Sequence, residues 1–167
     1  MKLQIVSASK YKSSDSSIQR SVEQIVREQL AEPLGWTGSL EPRAVSYGKE
    51  SKMEFDCYGE DNGSVLLVEI NARHGELKPA QQNKVLRDIL KLYAKSEELK
   101  KTGIKNIRMV VVFTNKHAAK FLKGHSWAAE VAREFCVESI IVPLKAAQIK
   151  ILLEAQKAQN LLEIKLQ

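Results

Sequence analysis

Only two cysteines occur in the 167 residues, Cys57 in a strand-like run and Cys136 near a helix end. Two such positions provide neither a disulfide framework nor a metal-thiolate spacing, so both are expected to be buried free thiols. Long hydrophobic runs are also missing. No apolar stretch reaches the roughly 18 residues a membrane helix needs, and the opening MKLQIVSASKYKSSDSS lacks the continuous apolar segment of a secretion signal. The expectation is a soluble, cytoplasmic protein with no membrane partner. His74, His117 and His125 lie among polar residues without a Cys or His at zinc spacing, which speaks against a transition-metal site. No phosphate-cradling glycine loop is present and no serine is flanked by glycines, so ATPase, dehydrogenase and serine-hydrolase readings lose their main support. Internal repeats, linkers and low-complexity segments are absent too.

What is present suits one domain spanning residues 1–167. The chain is 44% hydrophobic, enough to bury a core without disulfides or structural metal. An excess of 26 Lys and Arg over 20 Asp and Glu gives +6, a weak pointer to an anionic partner such as nucleic acid.

Residues 1–14 read as a flexible lead. Ser16 and Gln19 then fit a capping box that opens a helix with the apolar stripe Ile18, Val22, Ile25 and Val26, ending near Pro33-Leu34-Gly35. Strand-like runs follow at Arg43–Tyr47, Lys52–Glu60 and Ser64–Ala72, the last two joined by Asn62-Gly63, a strong hairpin signal. From Pro79 to about Lys100 the pattern is helical, with Val85, Ile89 and Leu92 on one side, Leu86, Leu90 and Tyr93 beside them, and Gly103 closing it. Arg108–Phe113 is too continuously apolar for a surface strand and reads as covered on both faces. Ala118–Phe135 is helical with a break near Gly124, Ser139–Leu144 is a second buried strand, and 146–167 is a long terminal helix. The order is helix, three strands, helix, strand, helix, strand, helix, a mixed α/β arrangement.

The hairpin carries the candidate chemistry. With Asn62-Gly63 at the centre of a type I′ turn, opposite residues sum to 125, so Asp56 faces Glu69 and Glu54 faces Asn71. Period two then puts all four on one face. Like charges directly opposite destabilise a hairpin, so something must offset the Asp56/Glu69 repulsion. A divalent cation such as Mg²⁺ or Mn²⁺ has the right hard-oxygen preference. The competing reading is a solvated face on which water, Lys52 or Arg73 eases the two carboxylates apart.

This arrangement resembles the PD-(D/E)XK nuclease superfamily, with its restriction endonuclease-like core of helix, three-stranded meander, helix and strand. The likeness spans roughly residues 17–113, leaving the C-terminal helix-strand-helix as an addition. It implies a metal-dependent DNA phosphodiesterase in which Asp56 and Glu69 bind the metal, Glu69-Ile70-Asn71 stands at the Glu-x-Lys position and Glu23 serves as the first-helix acid. Asn71 departs from the motif: an amide orients a water but supplies neither positive charge nor a base. The stretch VEINARHGELKPAQQNKVLRDILKL, with FLKGHSW and EAQKAQ after it, resembles an uncharacterised bacterial branch of the same fold.

A relocated cation is therefore sought on the following helix. Gln81, Lys84, Asp88 and Lys91 fall at i, i+3, i+7 and i+10, one polar stripe able to face the carboxylates. Lys84 is the candidate cation, with Gln81 near the helix start and Lys78 just before it turned toward a substrate phosphate. The plainer alternative is a solvated charge ladder. Lys105, Arg108, Lys116, Lys120 and Lys123 could meet phosphates or simply be solvated. Trp127, Val131 and Phe135, at i, i+4 and i+8, are better explained as core than as a base-stacking surface. Ile151 and Ile164 give the terminal helix apolar positions on more than one side, which suggests burial against the domain or a homodimer. The expected function is Mg²⁺- or Mn²⁺-dependent hydrolysis of DNA, with RNA as a further possible substrate. The alternatives are a degenerate nuclease fold that binds nucleic acid or a protein without cutting, and an interaction subunit acting through its terminal helix.

Overall fold

The computed structural model describes residues 20–165. The Ser16/Gln19 capping box, Ile18 and the lead segment 1–14 lie outside them, as do the side chains of Leu161, Leu162 and Ile164. The described part is a five-stranded mixed sheet between helices. α1 (described from residue 20 to 28) and the short α2 (Ala31–Leu34) precede β1 (Glu41–Tyr47), β2 (Ser51–Asp61) and β3 (Ser64–Asn71). Then come α3 (Pro79–Lys101), β4 (Asn106–Phe113), α4 (Lys116–Lys123), α5 (Trp127–Glu134), β5 (Val137–Ile141) and α6 (Ala146–Lys165). The strands lie in chain order, the β1–β2 and β2–β3 pairs antiparallel and the β3–β4 and β4–β5 pairs parallel. No helix among the described residues is long and apolar enough to cross a membrane.

Two cores explain the layering. Val65 and Leu67 of β3 pack with Val111 and Phe113 of β4 against Val85, Ile89 and Leu92 of α3 and the alanine faces of α4 and α5. Leu66, Val68 and Ile70 point the other way, with Val110 and Val112, onto Val22 and Val26 of α1 and Leu152 of α6. A strand covered on both faces must be apolar at nearly every position, which is why β3 and β4 read as continuous runs rather than alternations.

Four expectations need correction. Trp127 is 67% exposed, because α5 buries Ala128, Ala129 and Ala132 instead, whereas Phe135 packs against the core as expected, stacked on Tyr93. Leu90 is exposed on the outer side of α3. Cys136 is also exposed, at a left-handed backbone position after α5, whereas Cys57 is buried as expected. On α6, Leu152 is buried but Ile151 and Leu153 face outward.

Candidate active site

The hairpin register is the expected one: Asp61 pairs with Ser64, and the ladder holds through Cys57 and Val68. There the paired ladder stops. On the other side of β2, Glu41 pairs with Tyr58 but Arg43 pairs with Phe55, so Asp56 and Cys57 stand against Pro42 alone. This is a β-bulge, and proline, which cannot donate to a ladder, is the residue opposite it on the edge strand. The extra residue turns Phe55 into the α3-side core while Cys57 stays in the α1-side core. Glu54 and Asp56 therefore line one cleft against α1 while Glu69 and Asn71 face α3, a correction to the expectation that all four share one face.

Asp56 sits at the resulting opening. Its carboxylate replaces the missing ladder partner by accepting the Ile70 backbone N–H at Oδ2 (2.7 Å), and its own carbonyl accepts from Arg27 Nε of α1 (3.2 Å). Asp56 also lines a cleft of about 490 Å³ between α1 and β1–β2, together with Arg20, Glu23, Arg27, Arg43 and Glu54. Glu23 thus lines the same cleft as Asp56.

Glu69 and Asn71 project from β3 toward α3, and both are buried. Lys91 Nζ stands 2.6 Å from Glu69 Oε1 while donating to the Glu54 carbonyl (2.6 Å) and lying over the Phe55 ring. The close, charge-assisted contact with Lys91 is the one polar contact to Glu69 Oε1 seen among the described residues. Asn71 Oδ1 is buried without a hydrogen-bond partner among them. Burial first, then the Asp56 charge, push the Glu69 carboxyl up to about 8, with Lys91 pulling only partly against them. A cation offsetting the carboxylate pair is thus Lys91, from the polar stripe of α3. Its compensation is incomplete.

Lys84 is placed one step further out. It pairs with Asp88 (2.9 Å). Burial works against its charge, but Asp88, and behind it Asp56 and Glu69, outweigh that and hold its pKa above that of an ordinary lysine. Gln81 Oε1 accepts the Lys78 backbone N–H (3.0 Å) and so helps fix the start of α3. Lys78, at the N-cap, is exposed. The helical spacing revealed the stripe, but which of its lysines reaches Glu69 depends on where α3 lies along β3.

The donor set of Asp56, Glu69 and Asn71 is entirely hard oxygen. Among the described residues no three or more His, Cys, Asp or Glu side chains gather at metal-holding distance, and Asp56 and Glu69 are two carboxylates that feel each other's charge here. That suits Mg²⁺, which often takes only one or two carboxylates and completes its shell with water and phosphate oxygens. The buried Glu69 carboxyl, under repulsion from Asp56 and only partly compensated by Lys91, fits such an ion. Cys57, beside Asp56, plays no part as a nucleophile, because burial pushes its thiol up to about 12. Comparison with protein-family models, curated proteins and solved structures finds no match to this chain.

Proposed function

We propose that this protein is a metal-dependent phosphodiesterase acting on DNA, with a restriction endonuclease-like core and the motif lysine supplied by α3 instead of β3. The observation that carries the reading is the position of Lys91, 2.6 Å from Glu69 on the opened hairpin where Asp56 also lies. Strand order, bulge and cleft support it by placing an accessible carboxylate at the sheet's opening.

Asp56 and Glu69 would hold Mg²⁺ or Mn²⁺. When bound, the ion supplies Lewis-acid activation of water and phosphate. The chain's own groups set up the displacement in which a water oxygen bonds to phosphorus and one P–O ester bond breaks. The Ile70 N–H fixes the Asp56 carboxylate, Glu69 presents its buried carboxyl from β3, and the Lys91 ammonium places positive charge beside the scissile phosphate. Asn71 Oδ1 is an acceptor for the attacking water. Lys84, held by Asp88, adds a second cation at the rim.

A second reading rests on the same contact. The Lys91 ammonium occupies the space beside Glu69 Oε1 that an ion would need, and Asn71 replaces the motif lysine, as in a degenerate nuclease fold that binds nucleic acid without cutting. Calorimetric titration with Mg²⁺ and Mn²⁺, paired with DNA cleavage, separates the two. Asp56→Asn preserves an acceptor for the Ile70 N–H and removes only charge, so it should fold normally and lose both ion binding and cleavage. Cleavage that survives this substitution would overturn the assignment. Wild-type protein that binds DNA yet produces no product in either metal would establish the second reading.

A further inference from the structure

The chain's positive charge is unevenly distributed. From Leu99 to Ala129 there are seven Lys and Arg and no Asp or Glu, which exceeds the whole chain's net +6. Two of these cations are already engaged, Lys100 with Glu97 and Arg108 with Glu138. Lys116, Lys120 and Lys123 are exposed on α4 at i, i+4 and i+7, one side of the helix, and have no ion pair among the described residues. The opposite side of α4 is buried through Ala118, Ala119 and Leu122. The basic ridge is therefore held in place from beneath.

Trp127 follows this ridge. An exposed tryptophan is costly surface, and this one is 67% exposed. It is also well positioned. Ser126 accepts the Ala129 N–H and donates to the Phe121 carbonyl, while Arg133 donates to the Gly124 carbonyl, so the α4–α5 elbow carrying the ring is tied from both sides. The ridge starts at the site's end of the sheet: Asn71 pairs with Phe113, and Asn115, which caps α4 by accepting the His117 and Ala118 N–H groups, also donates to the Arg73 carbonyl. Glu69, Asn71 and α4 occupy the same face of the sheet.

Resting on the phosphodiesterase reading, we infer that α4 and the start of α5 form a binding track for an unpaired stretch of the DNA, its phosphates on Lys116, Lys120 and Lys123 and a base stacked on Trp127. Charge selects a polyanion. The exposed ring selects one with free π-faces, which stacked duplex bases do not present and single strands do. The track extends the site's specificity toward DNA carrying single-stranded character.

The test is anisotropy of a labelled oligothymidylate and of a blunt duplex of equal length in EDTA, where the result does not depend on catalysis. Neither metal nor cleavage enters this titration, so failure of the cleavage reading and failure of the track are separable. Wild type should prefer the single strand. Trp127→Ala should weaken that binding by about 5- to 150-fold, the range for one stacked base, and Trp127→Phe should recover most of it. Replacing Lys116, Lys120 and Lys123 together with Gln should lower the log–log salt slope by about 2, at roughly 0.7 per phosphate contact. All four side chains are exposed, so the variants should melt with wild type. Equal affinity for duplex, an unchanged salt slope, Trp127→Ala binding like wild type, or equal competition by polyglutamate would each overturn the proposal.

Discussion

Replacing Glu69 with Gln tests whether the site stores electrostatic strain. Its carboxyl, 3% exposed, has a pKa near 8 in the folded chain against about 4.5 in the unfolded one. Below pH 4.5 both states are protonated and the group contributes nothing to the difference. Between 4.5 and 8 the unfolded chain releases a proton that the folded chain keeps, so wild-type stability falls by about 1.4 kcal/mol per pH unit. The loss reaches roughly 3 kcal/mol at pH 7 and is capped at ~5 kcal/mol above pH 8. Gln has the same shape and no proton to release. Glu69→Gln should therefore match wild type near pH 4.5 and become steadily more stable relative to it up to pH 8. At 2–4 °C per kcal/mol for a chain of this size, the gain at neutral pH is on the order of 10 °C. The assay is thermal and urea unfolding of both proteins at pH 5, 6, 7 and 8 in EDTA, where every other titration cancels in the difference. A difference that stays flat across that range would refute the argument that burial and Asp56 keep Glu69 protonated. The same repulsion is what a bound cation relieves, so adding Mn²⁺ should stabilise wild type and not the Gln variant.

Two further predictions address the cation and the fold. Lys91→Met should lower cleavage by about 10²–10³-fold, the cost of removing a preorganised charge donor, while metal affinity holds or tightens because the competing ammonium is gone. Wild-type cleavage rates in this variant would show that Lys91 is only an anchor to the Glu54 carbonyl. Gly59→Ala should destabilise by about 1–3 kcal/mol through overpacking, since an added Cβ would lie 2.8 Å from Trp36 Nε1 and 2.9 Å from both Leu40 Cδ2 and Trp36 Cε2. A melting temperature equal to wild type would show that the Trp36 ring yields without cost.

Local order was legible because it depends on short-range chemistry. Asn62-Gly63 marked the turn and thereby the register from Asp61–Ser64 down to Cys57–Val68. Pro79 and the Val85/Ile89/Leu92 spacing marked α3 to within a residue or two, and the apolar run at β4 marked a strand covered on both faces. The same arithmetic set Asp56 opposite Glu69, but the ladder ends at Cys57–Val68, one step short of that pair. Glu54 could not be placed, because the bulge at Asp56–Cys57 depends on Pro42 lying opposite, fourteen residues away in the chain. Trp127 was assigned to the core by its spacing from Val131 and Phe135. Periodicity identifies a stripe but not which stripe is buried, and the alanines of α5 allow a close approach to the sheet that the large side chains would block.

The cation shows where the division falls. Helical spacing was sufficient to put Gln81, Lys84, Asp88 and Lys91 on one side of α3 and to aim that side at the hairpin. It favoured Lys84, one turn into the helix. The lysine that meets Glu69 is Lys91, two turns further along, because α3 docks through Val85, Ile89 and Leu92 at a height that the β3–α3 connection and the β4 core impose. Identity, periodicity and turn chemistry act over a few residues and are written in the chain. The height at which one layer rests on another is set by the packing of all the side chains between them, and that decides which charge reaches the carboxylates.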